Sequence, residues 1–500
     1  MFKPIFTRVL TISLILLSAA SVFSEELSLG RTDSWSSIAV LENTMILKKD
    51  GGRARIVLSD NEYLTSSSTE MLLHFNNDLL DSSGNYTLRR NTGVTISAAD
   101  KKMGGGAAVF FGDGEILELI PDENASFAAG GSLSDFTIEF WLNPARLSEG
   151  ETILRWQAAV DSPNDLLQQE ILCAVSGRNL FWQFSNFFLT PELDRTKFIL
   201  TSGRSLIPKR WHHHMLRYER KTGLLEYIID GIPEAMTYIS RDGRESAEIF
   251  SPVLGTAKPS SFMIGQGFIG YLDELRISNS VITEPVLNQY RMNSGIASTE
   301  IIDLDYFDSR LLDINSREEL PGETRINYFY RISNNYFNPQ AQAPSWKQIL
   351  PGEKLPPGIK GRYLQIMAEL FPDGTGKNTP GLIGLNISFN KNLPPLPPSF
   401  ITGAAGNESA VIRWKPVNDS DIGGYRVYYG DSPGFYFGTG SSNGSSPLDA
   451  GKTDNLKIQG LENGKLYYFA VSSYDDAEIP QESIFSTEIS VRPSAISRNN

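Results

Sequence analysis

From about residue 36 to residue 492, apolar and polar side chains alternate with a period of two. Clusters of Gly, Asn, Asp and Ser break the alternation every eight to fifteen positions. This is the pattern of half-buried strands joined by turns. Phe136, Ile138, Phe140 and Leu142 fall on one face of such a strand, and Thr137, Glu139, Trp141 and Asn143 on the other. Ile171–Val175 and Leu180–Phe184 flank Ser176-Gly177-Arg178-Asn179, which predicts a hairpin. Helical spacing is clear only at Glu284–Met292, with Thr283 as cap, Pro285 in the first turn, and Val286, Leu287 and Tyr290 on one face. The class expected is all-β, a string of tandem β-sandwiches.

Composition places the boundaries. Asn392-Leu393-Pro394-Pro395-Leu396-Pro397-Pro398 is too proline-rich for a sheet interior, because proline lacks the ladder donor. It reads as a stiff linker, with 391–395 as its core and a module at 396–494 beyond it. A softer boundary near Asn293-Ser294-Gly295 closes a large module at 69–293 and opens a small sandwich at 300–390. Residues 25–68 form a short β segment, expected as an extra hairpin or as an edge of the first sandwich.

The chain has 500 residues, one Cys, four His and a formal net charge of −13. A length of this order allows about three domains of roughly 150 residues. Lys3 and Arg8, the apolar run Val9–Leu17 and the small residues before Glu25 make residues 1–24 a secretory signal peptide. That run is too short to span a bilayer, and no later segment is long and apolar enough to be transmembrane. An exported chain with the single Cys173 has no disulfide framework, which favours the bacterial envelope or a bacterial secretion route. The acidic balance argues against nucleic acid as a partner.

Two stretches resemble known families. Trp414 in Ala410–Trp414, the strand Gly424–Tyr429, and the Leu461-to-Tyr467 corner are similar to a fibronectin type III domain covering residues 396–494. Leu72–Phe75 with Asp78, Asp81 and Gly84-Asn85, then Phe136–Leu142, Trp211-His212-His213, Asp230-Gly231 and Gly270–Ile277, resemble a laminin-G-like, concanavalin-type jelly roll. Residues 300–390 look Ig-like, with a less diagnostic pattern.

The jelly-roll resemblance implies a structural calcium ion held by carboxylates, for which Asp78, Asp81 and Asp273 are the matching positions. The alternative is that Asp81 makes an Asx-turn and Asp273 bonds a loop. His212 and His214 share one strand face and His213 takes the other, so the run reads as packing residues. Trp141, Trp156 and Trp182 are the ligand-binding candidates, with Phe184, Phe187 and Phe188 nearby, since aromatic rings stack on sugar faces. Trp141 lies opposite Phe140, so it belongs to a second packed layer or is exposed.

A glucanase-type Glu-x-Asp-x-x-Glu carboxylate set does not occur, and Gly440-Ser441-Ser442-Asn443-Gly444 lacks the strand-turn-helix setting of a nucleophile elbow. The expectation is therefore a non-catalytic extracellular binding or adhesion protein, with a glycan or protein ligand on the jelly roll and the other sandwiches as spacers. A structural envelope scaffold is the alternative reading, and an accessory glycoside hydrolase a third.

Overall fold

The computed structural model describes residues 24–30, 35–48, 54–112, 114–163, 165–190, 192–245 and 247–495. The segment read as an export signal lies outside them apart from Ser24. The fold is all-β: among the described residues there is no helix, and every strand pairing is antiparallel.

The large module is two stacked sheets. The eight-stranded one runs Ile232–Tyr238, Leu224–Ile229, His212–Glu219, Phe136–Pro144, Ile269–Ser278, Ala107–Phe111 and Thr95–Ser97, with Thr69–Leu73 also on Ile269–Ser278. The seven-stranded one runs Lys197–Thr201, Asn179–Ser185, Asp165–Ser176, Thr152–Ser162, Lys258–Ile264, Leu117–Pro121 and Tyr86–Asn91. Phe136, Ile138, Phe140 and Leu142 meet Trp156, Ile171, Cys173, Trp182 and Phe184 in one core between them. Alternation therefore reads the inner face correctly. The opposite face of Phe136–Pro144 is covered too, since Thr137, Glu139 and Trp141 are all buried.

The second sandwich corrects the reading of residues 25–68. Glu25–Leu29 pairs with Leu385–Phe389, and Ile38–Glu42 pairs with Ile296–Thr299. The hairpin of Thr44–Lys48 and Ala54–Leu58 joins the same sheet through Ile56 opposite Leu382. Leu29, Trp35, Ile56 and Leu58 share a core with Leu311, Ile314, Tyr328, Leu364, Leu370 and Ile387. Four N-terminal strands thus complete a sandwich whose remaining strands lie beyond residue 294, and the jelly roll is inserted between its two parts. Strand periodicity reports which face is buried, not which distant strand is the partner.

The helix expected at Glu284–Met292 is absent. The stretch runs irregularly, and its backbone bonds go elsewhere: Asn61 N donates to Gln289 O at 2.6 Å and Tyr290 N to Gly376 O at 2.9 Å. A stretch of nine residues gains little as an isolated helix, and tertiary partners satisfy the same groups.

Residues 396–494 fold as a three-stranded sheet (Ser399–Gly406, Ser409–Lys415, Asn455–Gln459) against a four-stranded one (Leu448–Gly451, Ile422–Gly430, Tyr467–Asp475, Ile489–Val491). Trp414 is buried 5.4 Å from Tyr425, and the Tyr467 hydroxyl accepts from Glu462 N at 3.1 Å. The proline-rich linker is tied down: Gln481 Nε2 donates to Asn392 O at 2.6 Å and Ser473 Oγ to Leu396 O at 2.6 Å.

Candidate functional site

The outer face of the eight-stranded sheet carries a second, polar layer. It is roofed by residues 60–63, the loop 100–104 and the connector around Leu287. Trp141, Tyr63, Leu72 and Met103 pack together there, with Trp211, Val286 and Leu287 against them. Beneath this roof Glu139, fully buried, receives two bonds on Oε1 from Arg276, Nε at 2.9 Å and Nη2 at 2.6 Å. Its Oε2 lies 3.1 Å from His213 Nε2, which also meets the Tyr63 hydroxyl at 2.8 Å. Burial alone would raise the Glu139 pKa, but the bonds and charges of His213 and Arg276 hold it below the ordinary carboxylate value. Next to it Glu274 accepts from Tyr63 N at 2.7 Å and faces His74 Nδ1 at 2.7 Å. Burial raises the Glu274 pKa against the opposing pull of His74.

At the rim of this layer opens a pocket of about 430 Å³, lined by Lys102, Trp141, Arg210, Trp211, His212, Asp230, Leu287, Asn288 and Lys377. Its walls come from three places: jelly-roll strand ends and loops, the connector after residue 280, and the turn 373–378 of the second sandwich. Lys102 Nζ sits 4.4 Å from the centre of a Trp141 ring. The Trp141 indole N–H is buried and, among the described residues, has no acceptor. Asp230 is already engaged, by His212 Nδ1 at 2.7 Å, His213 N at 3.0 Å and Arg204 at 3.3 Å. Burial opposes its ionisation, yet the bonds from His212 and His213 N carry its pKa down to about 2. Larger hollows beside Tyr330 and beside Ile422 contain no indole ring.

The residues singled out from sequence separate clearly. Trp141 lines the pocket, in the second packed layer. Trp156 and Trp182 are 0% exposed in the core between the sheets, with Phe184, Phe187 and Phe188 around them, and offer no surface to a ligand. Each sits on an inward position of its strand, so a ring count could not separate them from Trp141. Trp211, Lys102, Arg210 and Lys377 were not singled out. The Trp211-His212 motif was visible, but nothing local brings Lys377 to it.

Among the described residues, the carboxylates of Asp78, Asp81 and Asp273 do not converge as one group of ligand atoms. Both Asp81 oxygens are occupied: Oδ1 accepts from Leu72 N and Ser83 N, and Oδ2 from Ser83 Oγ, Asn85 N and Tyr86 N. Asp78 Oδ1 takes Leu80 N, and Asp273 Oδ2 takes Lys102 N and Met103 N. The Asp81 oxygens, committed to amide and hydroxyl donors, fit the turn-forming role, whereas among the described residues Asp273 Oδ1 is buried without a donor. Among the described residues, the group whose ligand atoms converge within 4.8 Å is Glu62, His74 and Glu274.

The histidine run divides as strand geometry requires. His214 faces the core, its ring 5.4 Å from Phe140 and its Nδ1 2.7 Å from the Tyr227 hydroxyl. Burial, reinforced by His213 and His212, pushes its pKa down to about 3. The unfolded chain protonates this histidine near pH 6.5, whereas the folded one resists until about pH 3. Its contribution is therefore complete above pH 6.5 and is lost as pH falls towards 3. The urea midpoint should drop over that window, and drop less in His214→Gln. Equal drops in both proteins would remove His214 from the account.

Residues 120–287 match the Laminin_G_3 family, described as the Concanavalin A-like lectin/glucanases superfamily. A Kelch domain-containing protein of Saccharolobus solfataricus is 26% identical over 219 residues, which is 43% of this chain and 27% of that protein. The match thus spans about a quarter of that relative's length. Among solved structures, domain 4 of an extracellular arabinanase from Geobacillus stearothermophilus, in complex with arabinotriose, is 19% identical. It covers 43% of this chain and 94% of its own, with a TM-score of 0.30. The CBM40 module of the Ruminococcus gnavus IT-sialidase, bound to α2,3-sialyllactose, is 13% identical, covering 30% of this chain and 79% of its own, with a TM-score of 0.23. The inserted module of this chain is similar in sequence to the concanavalin-like superfamily over residues 120–287, and its two stacked antiparallel sheets have the architecture that the match implies.

Proposed function

We propose that this protein is an exported, extracellular saccharide-binding protein, and that the pocket under Trp141 and Trp211 is where the sugar sits. The observation that carries the reading is the pairing of two indole rings with an unaccepted indole N–H in a single pocket. Its volume falls in the range of small-ligand pockets, roughly 300–1,000 Å³. Aromatic faces bury the C–H side of a pyranose, and polar side chains at the rim select its hydroxyls. The superfamily match over the jelly roll supports this reading. The pocket contains one carboxylate, Asp230, and glycoside cleavage by the usual route needs two. Binding without catalysis is thus the role we assign. Residues 396–494, with the buried Trp414 and the Tyr467 corner, are read as a fibronectin type III-like spacer.

The test is a glycan-array and titration experiment on the full chain and on Trp211→Ala. Trp211 is only half-buried, so the variant should fold. Losing one ring face should weaken sugar binding about tenfold or more. Unchanged affinity in a folded variant would move the site elsewhere.

A second reading, a scaffold that holds envelope proteins together, draws on the third module. Phe435, Phe437, Ile484 and Phe485 are exposed there, with Phe485 4.7 Å from Tyr428 and 5.3 Å from Tyr436.

A further inference from the structure

The pocket's charges are unusual for this molecule. The chain as a whole is acidic, with a formal net charge of −13. Yet Lys102, Arg210 and Lys377 all line one pocket, and among the described residues no salt bridge engages any of them. The single carboxylate there is spoken for, since Asp230 is shared by His212 and Arg204, the latter outside the pocket wall. Several arginines elsewhere on the jelly roll do find carboxylate partners, as Arg217 does in Glu226 and Arg276 in Glu139.

We infer that the pocket selects an acidic saccharide, a sugar bearing a carboxylate, whose anionic group sits among Lys102, Arg210 and Lys377 while its ring face lies on the half-buried Trp211. This rests on the saccharide reading above and narrows it to a ligand class. The ring surface and the cations occupy one cavity, which suits a molecule with one apolar face and one anionic edge. A bare inorganic anion would use the cations and leave the indoles unused. Lys102 strengthens the case: burial and the neighbouring positive charge of Lys377 lower its pKa. An anion placed between the two would relieve that repulsion. Arg210 offers a planar fork matched to a carboxylate, whereas the lysines supply point charges. The second sandwich contributes Lys377 from the turn that Asp373 holds, through Lys377 N at 3.0 Å and Asn378 Nδ2 at 2.7 Å. Specificity would therefore depend on a residue outside the jelly roll.

The experiment uses the full chain and three probes by calorimetric titration. They are an oligogalacturonate, the same oligosaccharide with its carboxylates reduced to primary alcohols, and inorganic phosphate. The acidic sugar should bind at least tenfold more tightly than its reduced form, and this margin should shrink as salt is raised. Arg210→Gln and Lys377→Gln, both at exposed positions, should each cost the acidic sugar about fivefold or more and cost the reduced one clearly less, so that the margin between the two narrows. If both sugars bind equally and neither substitution matters, the acidic preference is wrong while the saccharide reading stands. If phosphate binds as tightly as the acidic sugar, the site is an anion site and the ring contacts are irrelevant. If no sugar binds, both the reading and this inference fall.

Discussion

Deleting residues 25–58 is expected to unfold the second sandwich while the jelly roll keeps its own transition. The deletion takes away Glu25–Leu29, Thr44–Lys48 and Ala54–Leu58 from one sheet and Ile38–Glu42 from the other. It also removes Leu29, Trp35, Ile56 and Leu58 from the core, and side chains of this size cost about 2–5 kcal/mol each when truncated there. A domain's whole stability is about 5–15 kcal/mol, so the loss exceeds what can remain. The jelly roll closes its core from residues 71 to 277 and does not need those strands. Calorimetry should show one transition missing, with the pocket weakened because Lys377 is no longer held. A truncated chain that kept every transition would mean that the strands after residue 294 suffice alone.

The second large effect is expected at Glu139→Ala. Among the described residues Glu139 is the one anion bonding the Arg276 guanidinium and the His213 ring, and it is fully buried. Removing one partner of a buried ion pair leaves an uncompensated charge, at a cost of about 3–5 kcal/mol. Arg276 also stacks 4.2 Å over the Tyr63 ring, so the damage should extend to the roof segment 60–63. Glu139→Gln keeps an acceptor and the volume and should lose less. Urea unfolding of the full chain, followed through the jelly-roll transition, gives the comparison. An alanine variant within about 1 kcal/mol of wild type would show that the network is dispensable.

These two sites show what sequence could and could not convey. Phe136 to Leu142 spelled out a strand, and its inner residues are core because alternation is a local property of extended backbone. The outer residues of the same strand were ambiguous. Whether Glu139 and Trp141 face water or a second layer depends on segments 60–63, 100–104 and 286–288, which arrive from far away in the chain. Asp81 was legible as a turn residue, since its partners lie within nine positions on either side. Glu284–Met292 had helical spacing but found better bonds with Asn61 and Gly376. The pocket was half visible, through Trp141 and the Trp211-His212 motif. Lys102 and Arg210 were hidden because they come from jelly-roll loops far apart in the chain, and Lys377 because it joins only when the second sandwich closes around the insertion.

That closure also decides how the molecule would carry load. The first strand lies antiparallel to the last strand of the second sandwich, Glu25 opposite Phe389, so the chain arrives and leaves at the same end of one ladder. Tension applied at residue 25 and at the C-terminal module would open this ladder one hydrogen bond at a time, at low force, rather than shear all of its bonds together. Lys391 stands at the point where the peeling would start, its Nζ 2.9 Å from Glu25 and 2.7 Å from Asp305. The jelly roll, spliced between the two parts of the sandwich, lies outside that line of force and would keep its grip on a ligand until the first strand had come away.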